Sequence, residues 1–174
     1  MAGVKQRRTI ADYINVTPGD ESSATNTFMG LGFKTINESP GAQVSSKRYV
    51  NNKSASKSIT GYDSSFPFEI DQIKSEAAVD YIVGIGERRL TGADAETEYY
   101  RVDLDKPVKN GETVVKDTYY ARKFKVAVEV SGLDDADGEM TGSGNLLPIG
   151  DLVEGYAVIS AGTMNFTAGE YKEE

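Results

Sequence analysis

Apolar and charged residues alternate along the stretch KFKVAVEV. Phe124, Val126, Val128 and Val130 fall on even positions, while Lys123, Lys125 and Glu129 fall on odd ones. A period of two predicts a strand with one face on a core and the other in water. The acidic, glycine-rich turn DDADGEMTGSG follows, then the extended segment NLLPIGDLVEGYAVIS and a last short one, MNFTAG. Upstream, Glu96 to Val108 reads as a strand that places Tyr100, Val102 and Leu104 together, and Asn110-Gly111 after it predicts a hairpin. Ile59 to Ile73 reads as extended, with Phe66, Phe68 and Ile70 on one face and Glu69 and Asp71 on the other. Phe28 to Ser39 reads as a first strand, weakened by Gly30 and Gly32.

The periodicity changes once. In SEAAVDYIVGIGERRL, Ala78, Val79, Ile82 and Val83 follow helical spacing, Ser75 is placed as N-cap, and Arg88 and Arg89 suit the C-terminal end. Two segments carry no such pattern. Residues 1–27 have only Ile10, Tyr13, Ile14 and Val16 as apolar anchors and read as an arm. Residues 40–58, PGAQVSSKRYVNNKSASKS, read as a long polar loop, and both segments are expected to order only in an assembly. The expected architecture is α+β and mostly β: a β-sandwich or half-open barrel with one short helix, spanning residues 28–174 as a single domain behind the arm.

Composition narrows the chemistry. There is no cysteine and no histidine, so thiolate nucleophiles, disulfides, Cys-based zinc sites and the usual general base are excluded. No enzyme, cofactor or metal is expected. The basic N-terminus lacks an apolar segment of the secretory type, and no apolar run approaches the roughly 20 residues of a membrane span. Net charge is −8, unevenly spread. Residues 1–60 carry eight basic and four acidic side chains, and from Ala127 onward there are ten acidic residues and one basic. Such asymmetry suits head-to-tail self-association, and the net acidity disfavours tight binding of nucleic-acid phosphate.

The short motifs read more simply as structure than as sites. Gly84-Ile85-Gly86 has Arg89 where a dinucleotide loop needs glycine. Around Asp135 and Asp137-Gly138, the first and last ligand positions of a calcium loop are Leu133 and Gly144. The spaced carboxylates Asp103 and Asp105, and Glu69 and Asp71, suit a solvated strand face. The tyrosine pairs 99–100 and 119–120 place one ring on each face of a strand.

The order of features resembles the major tail tube proteins of long-tailed bacteriophages. It runs from the N-terminal arm and glycine-containing strand through the polar loop before FPFEIDQI and the short helix. EYYRVDLDKPV, YYARKFKVAVEVSG and GNLLPIGDLVEGYAVISAGTMNFTAG complete it. Gly150-Asp151, Gly155 and the closing NFTAG are its most characteristic part. The resemblance implies a structural subunit of the virion tail, assembled in the bacterial host cytoplasm. It implies self-association into rings, usually hexameric, that stack into a hollow tube for DNA, which passes without specific binding. Tape-measure and tail-terminator proteins are the implied partners, with no membrane involved. Siphophage, contractile-tail and bacteriocin tubes share the pattern. The alternative is a monomeric β-sandwich binding module of carbohydrate-binding or adhesin type. In the tube reading, Glu69, Asp71, Lys123, Lys125 and Glu129 face the lumen. The basic set Lys5, Arg7, Arg8, Lys47, Arg48, Lys53 and Lys57 stacks on an acidic surface of the next ring. Asp134, Asp135, Asp137, Glu139, Glu170, Glu173 and Glu174 are the available acidic partners.

Overall fold

A computed structural model describes residues 3–20 and 23–170. The chain is mostly β with one α-helix. Its strands are β1 (Ile10–Asn15), β2 (Asn26–Phe28), β3 (Phe33–Ile36), β4 (Ala42–Lys47), β5 (Ser56–Tyr62) and β6 (Phe66–Asp71). After helix α1 (Ala77–Arg88) come β7 (Glu96–Asn110), β8 (Thr113–Ala136), β9 (Glu139–Pro148), β10 (Val153–Ser160) and β11 (Thr163–Ala168). Nine strands form one curled sheet in the order β2-β1-β7-β8-β9-β6-β3, with β10 on β8 and β11 on β10. Strands β4 and β5 form a separate two-stranded sheet.

The 24-residue β8 is the axis of the fold. One of its edges pairs with β7, while the other pairs with β9 from Val126 onward and with β10 from Lys123 back to Thr118. The segment NLLPIGDLVEGYAVIS is therefore one line of chain broken at Ile149–Leu152, where the Ile149 amide still donates to Lys125 O at 2.7 Å. At the far end of β8, Asp137 and Gly138 have φ of 53° and 83°, the left-handed pair of a type I′ hairpin turn.

Alternation along β1, β7 and β8 feeds two cores on opposite faces of the sheet. Ile14, Tyr99, Phe124, Val126 and Val128 point to the larger one, beneath α1, with Phe66, Phe68, Ile70 and Leu146. Ala11, Tyr13, Tyr100, Val102 and Ala121 point to the smaller one, closed over by Ala157 and Met164 of β10 and β11. The curl brings β11 to β2, where Asn26 Nδ2 donates to Met164 O at 3.1 Å. The split of Tyr99 and Tyr100 between faces is as the sequence predicts.

Helix α1 buries Ala78, Val79, Ile82, Val83 and Ile85. Gly86 allows it to touch β8, since a Cβ there would lie 2.7 Å from Val130 Cγ1. The N-cap is Glu76 and not Ser75, whose φ of 74° puts it in a left-handed turn before the helix. The Asp80 amide accordingly bonds to Glu76 O at 2.9 Å.

Three expectations about whole segments change as well. The segment expected as an arm, 1–27, contains β1, an interior strand between β2 and β7 with Ile14 fully buried. Its register was obscured by Asp12, a polar residue on the core face. The strand expected over 28–39 is divided at Gly30–Gly32 into β2 and β3, which pair with different partners. Residues 40–58 are not a structureless loop: β4 and β5 form an antiparallel ribbon, in which Val44 opposes Ile59 and Ala42 opposes Tyr62.

Candidate assembly surfaces

The ribbon grows from the edge of the sheet. β3 and β6 pair, Ser39 and Ser65 bridge, the Asp63 amide donates to Gly41 O at 2.9 Å, and β4 then pairs with β5. Gly41 permits the crossing, because a Cβ there would sit 2.0 Å from Asp63 O. Strands β4 and β5 pack chiefly on each other, and no residue of either is buried. Pairing places Ala42, Val44, Ile59 and Tyr62 on one face and Gln43, Ser45, Lys47, Ser56 and Ser58 on the other. Val44, Ile59 and Tyr62 are 61, 60 and 65% exposed, and Tyr49 and Val50 project at the tip. Residues 42–62 contain Lys47, Arg48, Lys53 and Lys57 and no acidic side chain.

The acidic residues lie at the other end. β6 runs from Phe66, opposite Leu146, to Asp71, opposite Thr141. The ribbon leaves before Phe66, whereas the β8–β9 turn with Asp134, Asp135, Asp137 and Glu139 lies beyond Thr141. These four are exposed, and Asp135 Oδ1 accepts from the Gly138 amide at 3.0 Å, which makes it a turn cap. Glu173 and Glu174 lie outside the described residues. Of the N-terminal cations, Lys5 pairs with Asp103 and Arg7 with the buried Asp12, so both are engaged within the chain.

Glu69, Asp71, Lys123, Lys125 and Glu129 share the sheet face opposite α1, as the register of β6, β8 and β9 requires. The lysines do not make this face basic. Lys123 Nζ lies 2.5 Å from Glu98 Oε1, and Lys125 Nζ lies 2.9 Å from Glu96 Oε2. Lys34 is 2.7 Å from Asp71, and Asn145 Nδ2 donates to Glu129 at 2.8 Å. Burial opposes the charge of Glu98, but hydrogen bonds from Lys123 and Tyr100 outweigh it and hold the carboxyl below its usual range. With Glu69, Glu96 and Glu98 included, carboxylates outnumber ammonium groups on this face. The sequence missed Glu96 and Glu98 as partners, though their even spacing with Tyr100 was the available signal.

The opposite face carries an ionic row on neighbouring strands. Asp12 opposes Arg101 on β7, and Arg101 opposes Arg122 on β8. Asp12 is 1% exposed and accepts from Tyr99 OH at 2.5 Å, with Arg101 Nε 3.7 Å away. Burial, with the charge of Asp12 beside it, raises the Tyr99 hydroxyl well above its usual value. Glu38, at the root of the ribbon, accepts both Arg122 nitrogens at 2.6 and 2.8 Å. Its carboxyl is held low mainly by those bonds, against the cost of burial.

Among the described residues no group of three or more His, Cys, Asp or Glu could hold a metal ion, and no helix is long and apolar enough to cross a membrane. Gly84 and Gly86 are helical residues facing Arg88 and Val130.

No protein-family model matches the chain, and no curated protein matches it. Among solved structures, one similar chain belongs to the cryo-EM structure of the anti-feeding prophage (AFP) baseplate, 6-fold symmetrised. The likeness covers 88% of this chain and 97% of that one, at 11% identity and a TM-score of 0.48.

Proposed function

We propose that this chain is a structural subunit of a phage tail or phage-tail-like particle, which associates with copies of itself into rings that stack as a hollow tube. One observation carries the reading. An uncovered basic ribbon and an acidic turn extend from opposite ends of the same sheet. An isolated two-stranded ribbon with an apolar face is at best marginally stable in water, so it needs a covering surface. A chain that is basic at one end and acidic at the other supplies one head to tail, and such contacts repeat without limit when they do not close.

In this reading Lys47, Arg48, Lys53 and Lys57 of one subunit meet Asp134, Asp135, Asp137 and Glu139 of the subunit in the next ring. Each exposed pair contributes only about 0–1 kcal/mol, but a ring repeats every contact. The sheet face bearing Glu69, Asp71, Lys123, Lys125 and Glu129 lines the lumen. Its excess of carboxylates would repel the phosphates of passing DNA and leave it unbound.

The test is negative-stain microscopy and sedimentation of the purified chain across a salt series. Rings or tubes that shorten as salt rises, and that fail to stack in a Lys47→Glu, Arg48→Glu variant, are expected, because exposed charges are screened within about 8 Å at physiological ionic strength. A chain that stays monomeric at high concentration in low salt would overturn the proposal. Tubes indifferent to salt and to both reversals would overturn the charge-based stacking.

A further inference from the structure

The direction of the ribbon depends on a narrow joint. Between β3–β6 and β4–β5 the two segments are linked by the Ser39–Ser65 bridge and the Asp63–Gly41 bond, with Ser64 Oγ donating to Pro40 O at 3.0 Å. Bonds of this kind hold the two segments together but leave the pair free to bend as a unit. None of residues 39–41 and 63–65, which make the joint, is buried. One side is an open cleft of about 700 Å³ between Pro40, Tyr62 and Asp63 of the root and Phe124, Pro148 and Leu152 of the sheet. The other side is a second cleft of about 500 Å³, lined by Lys5, Asp103, Lys106, Tyr120 and Glu154. Glu38 and Arg122 line both clefts, so their ion pair stands as a strut between them.

The strut has a rigid foot. The Arg122 guanidinium lies over the Phe124 ring at 5.6 Å, and that of Arg101 over Phe66 at 5.9 Å. Those rings pack with Tyr99 at centroid distances of 4.8 to 6.0 Å in the main core. Arg101 and Arg122 are cross-strand neighbours of like charge. Asp12 balances Arg101 from one side, and Glu38 lies between the two arginines on the other, with Arg101 Nη1 3.8 Å away. That last separation is an attraction and not a hydrogen bond. Among the described residues Arg101 Nη1 has no hydrogen-bond partner, so Glu38 is the nearer arginine's fork partner and the farther one's counter-charge.

We infer that Glu38 is a positioning residue, which fixes the angle at which the ribbon leaves the sheet by bracing its root against Arg122. The functional consequence rests on the proposed assembly: the angle decides where the face bearing Val44 and Ile59 lands on a neighbour. The angle itself is a property of the single chain and is measured there. The chain has no cysteine, so Ser54→Cys near the ribbon tip and Glu87→Cys on α1 give two clean spin-label sites. Both positions are exposed. Pulsed electron-spin distance measurement on the monomer is expected to give one narrow distribution. Glu38→Gln should broaden and shift it, and so should Arg122→Lys, which keeps the charge but loses the bidentate fork. The exchanged pair Glu38→Arg, Arg122→Glu should restore a narrow distribution, which a merely structural loss would not. A distribution as narrow in Glu38→Gln and Arg122→Lys as in the parent would overturn the inference. A parent that shows a narrow distribution yet forms no rings would sink the assembly reading and leave the strut standing.

Discussion

The body and the ribbon are built from the same kind of strand and differ in what lies above them. In the body, Phe66, Phe68 and Ile70 alternate with Pro67, Glu69 and Asp71 and are at most 2% exposed, because α1 and neighbouring strands cover them. In the ribbon, Val44 and Ile59 also face each other across a pair, yet both are about 60% exposed among the described residues. Backbone pairing is thus present in both regions, while burial is present in one. Pairing alone stabilises little, since folding exchanges water's hydrogen bonds for internal ones, and area removed from water supplies most of the driving force. The body can therefore fold alone. The ribbon is a shape held at its root and left for another surface to complete.

The sharpest way to break this comparison is to injure each region in turn. Phe66 is fully buried against Tyr99 and Phe124. Phe66→Ala should cost about 3–5 kcal/mol, read as a fall in the denaturant midpoint. Excising residues 42–62 and joining Gly41 to Asp63 with a short turn should leave that midpoint unchanged. Equal losses from the two changes would mean that the ribbon belongs to the folding unit. A smaller effect separates two glycines of α1 that lie two residues apart. At Gly84 an added Cβ meets only the flexible end of Arg88, at 3.3 Å, so Gly84→Ala should gain up to about 1 kcal/mol of helix propensity. At Gly86 the added Cβ would meet Val130 at 2.7 Å, so Gly86→Ala should lose about 1–3 kcal/mol to overpacking, less that propensity gain. Thermal unfolding of the two variants checks the sign difference, and a stabilised Gly86→Ala would show that helix and strand do not approach so closely.

The body was legible where burial alone set the pattern. Phe66, Phe68 and Ile70 read correctly, as did Tyr99 and Tyr100 on opposite faces, because each residue's polarity matched its surroundings. β1 was lost because Asp12 breaks the apolar register. Its burial is made possible by Arg7, Tyr99 and Arg101, which come from positions 5 to 89 residues away along the chain. Ser75 misled for a local reason: a good cap residue does not choose its own φ when the chain must turn before the helix. The segment from Asn145 to Ser160 read as one extended piece, and only pairing with β8 shows where it divides into β9 and β10. Of the candidate surfaces, the shared face of Glu69, Asp71, Lys123, Lys125 and Glu129 followed from parity. The ribbon did not, because AQVSSK and SKSITGY match only Val44 with Ile59 and Ala42 with Tyr62, and the bulge between those pairs breaks the alternation in SKSITGY.

The smallest expected effect on stability is the most informative for the comparison. Replacing Val44 and Ile59 by serine removes the ribbon's central apolar pair. In a covered strand two such changes would cost several kcal/mol through lost burial and new unsatisfied hydroxyls. Here both side chains are about 60% exposed, so most of their surface is already in water. Neither serine hydroxyl would lack a water partner. Exposed substitutions of this kind usually lie within about 0.5 kcal/mol of zero, and some β-propensity is lost with the branched side chains. The monomer's unfolding midpoint should therefore stay where it is, while association, read by sedimentation at rising concentration, weakens. That pairing of results separates a surface kept for a partner from one kept for the fold. A marked fall in monomer stability would mean that the ribbon's apolar face is covered within its own chain. Unchanged association would mean that this face is solvated in the assembly, leaving the ribbon's lysines and arginine as its only contacts.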